Sequence, residues 1–229
     1  MRSRTAQFAA TILVVLACGC GLDPNNQARL DGLIAGGGGS APITAHLLLA
    51  DGSAGKLYSY STCQSLATVN TSGPLPGTGG VNEPEISPGA YSAVEVQDSV
   101  FYTGSECPMA GSQNIILAEL GWDVSSFDLS KYTSFAITWV GRLGAYGGSC
   151  SGSAPTSINS TAKVQIYNGS MWSDLSGTPG TTSSVITQTF GLPDTYATSG
   201  KIWIRIYTDS ATSMCATVQT DFASLEISP

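Results

Sequence analysis

The stretch KIWIRIY at positions 201–207 constrains the fold more than any other part of this chain. Side chains on a β-strand alternate between two faces, so Ile202, Ile204 and Ile206 fall on one side and Lys201, Trp203, Arg205 and Tyr207 on the other. The isoleucine side demands a core beneath it. The opposite side carries two aromatics and two cations, a composition that predicts either a ligand platform or a decorated outer surface.

Strand signals recur at 91–96, 100–102, 115–120, 134–140, 162–167, 184–190 and 222–227, with clusters of Gly, Pro, Asn, Asp and Ser between them. No segment sustains a helical period. The chain is therefore predicted to be all-β, a jelly-roll type β-sandwich of about eight strands. Two further runs, 43–50 and 57–60, lie on either side of the turn signal Asp51-Gly52 and predict a first hairpin. The stretch 70–89 is so dense in glycine and proline that it predicts a long irregular connection. A strand, a corner and at most one turn of helix are expected over 119–132.

Ahead of this domain, expected over 43–229, the sequence divides into a signal peptide at 1–20 and a flexible Gly/Ser-rich tether at 21–42. Arg2 and Arg4 form a charged start and residues 8–17 an apolar core, too short for the about 20 residues a spanning helix needs. The exit, VLACGC, resembles the lipobox of bacterial lipoproteins, which implies lipidation of Cys18 or Cys20. More than one acyl chain gives stable anchoring without a transmembrane helix. The expected location is the outer membrane or cell surface, lipid-anchored. An ordinary secretory signal, with a secreted or periplasmic product, is the alternative.

Charge and motifs narrow the function classes. With nine basic residues and a net charge of −7, the chain lacks the clustered cations that a phosphate backbone requires, so nucleic acid is not an expected partner. His46 is the single histidine, and no GxSxG or HExxH motif accompanies it. It reads as an ordinary strand or edge residue. No glycine fingerprint joins a strand to a helix, which removes the usual support for nucleotide chemistry. Glu83 and Glu85 flank Pro84 in the long connection, and a glycosidase needs only two carboxylates, but turns place such acids in water. The chain is accordingly expected not to be an enzyme.

Four cysteines remain beyond the signal: Cys63, Cys107, Cys150 and Cys215. Their spacing matches no zinc pattern, and an exported chain meets an oxidising compartment, so two disulfides are expected. Of the three connectivities, Cys150 with Cys215 is favoured because both sit in Gly/Ser/Thr-rich loops beside strands expected to be neighbours. Cys63 with Cys107 follows by elimination.

The strand at 162–167 repeats the two-sided pattern, with Ala162, Val164 and Ile166 against Lys163, Gln165 and Tyr167. If it neighbours KIWIRIY, then Trp203, Arg205, Tyr207, Tyr167, Gln165 and Lys163 share one surface. Sugars stack on aromatic faces while Arg, Gln and Lys bond their hydroxyls, so this is the candidate glycan platform. The long connection is the feature that could cover it. Trp139, in line with Phe135 and Ile137, is expected in the core.

The succession of WDVSSFDLSKY (122–132), AKVQIYNGSMWSDL (162–175), KIWIRIY and TDFASLEIS (220–228) resembles the galactose-binding-like jelly rolls of carbohydrate-binding modules and bacterial surface proteins. The resemblance covers the second half of the chain. It implies glycan binding on loops or a concave face, and a structural calcium near the first and last strands, for which Glu95, Asp98 and Asp221 are the matching positions. No other cofactor is expected. The leading expectation is a non-enzymatic, lipid-anchored surface protein whose sandwich binds a glycan or a surface protein. The alternative is a structural or assembly subunit of a surface layer or filament with no small ligand.

Overall fold

In a computed structural model, the described residues are 42–50, 52–59, 73–74, 85–107, 115–147, 153–158, 162–177, 179–209 and 214–229. Residues 1–41, on which the expected signal, most of the expected tether and Cys18 and Cys20 fall, lie outside them.

The described residues form ten strands: β1 (Ala45–Leu48), β2 (Gly55–Ser59), β3 (Tyr102–Cys107), β4 (Ile115–Asp123), β5 (Ser134–Gly147), β6 (Lys163–Tyr167), β7 (Trp172–Asp174), β8 (Ser184–Gly191), β9 (Lys201–Asp209) and β10 (Met214–Ser228). They form two antiparallel sheets. One has the order β1-β10-β5-β8, with β3 also pairing β10, and the other the order β2-β4-β9-β6-β7. Without β2 and β3 the orders are those of an eight-stranded jelly roll, in which the chain passes repeatedly from one sheet to the other.

Alternation explains the sandwich. Ile202, Ile204 and Ile206 of β9 are fully buried and face Phe135, Ile137 and Trp139 of β5 and Ala223, Leu225 and Ile227 of β10 within a single core. Trp139 is buried as expected, and its indole donates to Thr220 Oγ1 at 3.2 Å. Its ring lies over Gly141, where a Cβ would come within 2.3 Å of the ring carbon Cζ2.

β10 keeps its apolar side inward along its whole length only because it contains a bulge. The register shifts between Thr220 and Phe222, so that Ala216, Val218 and Thr220 face inward before it and Ala223, Leu225 and Ile227 after it. Asp221 is the extra residue. Its buried carboxylate accepts the backbone N–H groups of Asp98 and Ser99, at 3.3 and 3.0 Å.

Two local expectations are corrected. Residues 91–96 form no strand: Pro88–Ala93 is a 3-10 turn, initiated by Pro88, whose fixed φ and missing N–H suit a first helical position. The runs at 43–50 and 57–60 form no hairpin, because β1 joins β10 while β2 joins β4 in the other sheet. The expected sandwich is present, with β2 and β3 added to its eight strands among the described residues. The 119–132 segment does turn a corner into a short 3-10 element at Leu129–Lys131. Among the described residues no helix is long and apolar enough to cross a membrane.

Cys215 is fully buried and disulfide-bonded. Cys150 and Cys63 lie outside the described residues, so neither expected pair is described in full. The register sets the backbone of Cys107 opposite Ala216.

Candidate functional site

β6 and β9 are neighbours, as the sequence pattern requires for a shared patch: Lys163 pairs with Tyr207 and Gln165 with Arg205. Across all five strands, Tyr58, Glu119, Arg205, Gln165 and Asp174 occupy one transverse row on the outer face of this sheet. Arg205 Nε donates to Gln165 Oε1 at 2.7 Å, and Gln165 Nε2 donates onward to Asp174 Oδ1. Lys163 ends the run with an ion pair to Asp174 Oδ2 at 2.7 Å.

This face is not open. Trp203, Arg205, Tyr207, Tyr167 and Gln165 are all buried, and only Lys163 is substantially exposed. Their surfaces are occupied by protein groups. The Arg205 guanidinium lies 4.4 Å from the ring centre of Trp172, which also packs on Tyr167 at 5.2 Å. Trp203 has Tyr58 at 5.7 Å and the Lys201 ammonium at 5.5 Å, and it lies flat across Gly121, where a Cβ would come within 2.6 Å of its ring. Gly73, from the long connection, sits close to the Tyr167 hydroxyl. Burial pushes the Arg205 guanidinium below its usual range, against the opposing effect of the nearby Glu119 carboxylate.

The β6–β7 hairpin that presents Trp172 is built locally. Asn168 Oδ1 accepts the N–H groups of Ser170 and Met171 at 3.1 and 2.9 Å, and Gly169 takes a φ of +87°, a conformation open to glycine.

One end of the same face remains accessible. Where β2 begins, β4 ends and β9 begins, a cleft of about 520 Å³ is lined by Gly52, Ser53, Ala54, Lys56, Tyr58, Glu85, Asp123, Ser125, Ser126 and Lys201. Asp123 and Lys201 are direct register partners, two positions from the Gly121–Trp203 pair. Asp123 Oδ1 accepts from both the N–H and the hydroxyl of Ser125, at 3.0 and 2.6 Å, and these bonds, followed by the Lys201 charge, hold its carboxyl below the usual carboxylate range. On the other wall Lys56 pairs with Glu85 at 2.7 Å, and Tyr91 donates to the same Glu85 oxygen at 3.0 Å. Burial, followed by the charges of Glu85 and Asp123, raises the Tyr58 phenol above its ordinary value.

Sequence reasoning missed this cleft. Lys201 was visible on the outward face of KIWIRIY and Asp123 within WDVSSFDLSKY, but nothing local says that β2 brings Tyr58 alongside them. The remaining candidates are dispersed. Asp221 and Asp98 meet through a backbone bond, Asp98 Oδ1 accepts the Val100 N–H at 2.9 Å, and the Glu95 N–H donates to the Tyr91 carbonyl. Among the described residues no group of three or more His, Cys, Asp or Glu side chains is arranged to hold a metal ion. His46 is exposed on β1, 3.2 Å from Glu226.

The chain matches no family model, no curated protein and no solved structure.

Proposed function

We propose that this protein is a non-enzymatic, lipid-anchored surface protein whose β-sandwich binds a glycan or another cell-surface component. The observation that carries the reading is the open polar cleft at the end of an otherwise closed aromatic face. A concave site with an aromatic wall and a few placed polar groups is the usual form of a small-ligand site. The lipobox-like VLACGC and the tether supply the anchor, and the loose likeness to galactose-binding-like jelly rolls agrees with the two-sheet architecture. In this reading Cys150 and Cys215 form one disulfide: β5 ends at Gly147, opposite Met214, so Cys150 follows close by in sequence.

The test is retention of the mature domain on insoluble cell-envelope polysaccharide and on a glycan array, with mass spectrometry of the native N-terminus. Binding together with a lipidated Cys18 or Cys20 is the expected result. No retention on any glycan or envelope fraction removes the binding reading, and an unmodified terminus beyond Cys20 removes the anchor.

A second reading, an assembly subunit, is favoured by β8. This strand closes its sheet with one side unpaired among the described residues, and it contains no charge and no proline, the devices that normally protect an edge. A second copy would pair antiparallel about Thr187. Under this reading the domain self-associates in sedimentation, and Thr187→Lys abolishes the association.

A further inference from the structure

The cleft narrows the chemistry of its ligand, on the premise that the domain is a binding module. Its four charged side chains divide into two pairs in different states. Lys56 and Glu85 are bonded to each other, and Tyr91 occupies the same Glu85 oxygen, so this wall is satisfied internally. Asp123 and Lys201 stand opposite one another across β4 and β9, yet no ion pair joins them. Asp123 uses Oδ1 for Ser125, and among the described residues no group bonds Oδ2. The Lys201 ammonium lies 5.5 Å from the centre of the Trp203 ring, and among the described residues it makes no ion pair. Tyr58 forms the aromatic wall, held at 40° to Trp203.

We infer that this cleft binds an uncharged sugar ring through two neighbouring hydroxyls, one donating to Asp123 Oδ2 and the other accepting from Lys201 Nζ, with the ring against Tyr58. Two cations and two carboxylates balance, so a ligand with net charge gains from one member of the open pair what it loses to the other. A polyol, which donates and accepts at adjacent atoms, satisfies both members at once. Bonds to ionised partners are the stronger kind and set the orientation. The volume suits one or two sugar rings. Because Ser125 and Lys201 keep Asp123 ionised, the acceptor persists through mildly acidic conditions.

The experiment titrates the mature domain with methyl glycosides of glucose, galactose and mannose, and separately with glucuronate and glucosamine, following amide shifts by NMR and affinity by calorimetry. Neutral glycosides are expected to shift Asp123, Ser125, Ser126 and Lys201. Asp123→Asn, which keeps an oxygen for Ser125, is expected to weaken binding by about tenfold or more, and Lys201→Met by about three- to tenfold, as for loss of bonds to charged groups. A deoxy glycoside lacking one of the two hydroxyls loses comparably. Near-ultraviolet circular dichroism and dispersed amide spectra of both variants that match wild type show that the fold is intact. Binding of glucuronate or glucosamine alone, shifts confined to other surfaces, or unchanged affinity in both variants overturns the assignment. If envelope polysaccharide retains the domain while neutral glycosides leave the cleft unmoved, the assignment fails and the binding reading stands. If nothing is retained and nothing shifts, both fail.

Discussion

β8 and β9 carry the same kind of alternation and meet opposite fates. In β8, Val185, Thr187 and Thr189 point to solvent while Ile186 faces the core, so one face is wet and the other dry. In β9, residues 202–208 are all buried, on the isoleucine side and on the Trp-Arg-Tyr side alike. The difference is position. β8 ends its sheet, whereas β9 is flanked by β4 and β6 and is covered by Tyr58, Trp172 and neighbouring groups. Alternation identifies two faces but not how many of them are covered, and large amphipathic side chains suit a second, partly polar interior as well as they suit a ligand.

The contrast is most directly broken at Trp203. Trp203→Ala is expected to cost about 3–5 kcal/mol in urea unfolding, the range for buried tryptophan truncation. A loss below about 1 kcal/mol places that ring in solvent rather than in a packed layer. Arg205→Met leaves Glu119 without its opposite charge in a buried setting and is expected to cost about 3 kcal/mol. Adding Glu119→Leu to it should restore part of that loss, and a double-mutant cycle measures how much. Gly121→Ala drives a Cβ into the Trp203 ring and is expected to cost about 1–3 kcal/mol, visible as a lower Tm with native circular dichroism.

Smaller effects belong to the cleft and to the β8 edge. The Asp123 carboxyl is held down by Ser125 and then by Lys201, so its contribution is present above the ordinary carboxylate pKa and disappears as pH falls through the lower folded value. Wild type and Asp123→Asn are therefore expected to differ in Tm near neutrality and to converge as pH falls below the usual Asp value of about 3.9 and through the lower folded one. A difference that grows on acidification refutes this assignment. Val185→Thr, at a side chain 61% exposed, is expected to change stability by no more than about 0.5 kcal/mol. A larger loss in that variant indicates that β8 is covered by a second copy.

Much of the architecture was legible because burial leaves a period. Ile202, Ile204 and Ile206 announced a core strand, and Phe135, Ile137 and Trp139 another. Where the period misled, a local cause is visible. The apolar letters at 91–96 belong to a 3-10 turn because Pro88 starts it, and Tyr91 is buried to bond Glu85 and the Leu57 N–H. The bulge at Asp221 reverses the phase of β10 midway, so a single alternating pattern does not run through it.

What the sequence by itself determined was therefore the fold class and the two-sided character of KIWIRIY, since both follow from side-chain geometry within one strand. Whether the second side was a surface was decided only by the tertiary structure. The groups that bury it come from residues distant in sequence: Tyr58 from β2, Gly121 beneath Trp203 from β4, Trp172 from β7. The open end was decided in the same way, because Asp123 and Lys201 become neighbours only when β4 pairs with β9. Long-range pairing, unlike alternation, leaves no period in a single chain.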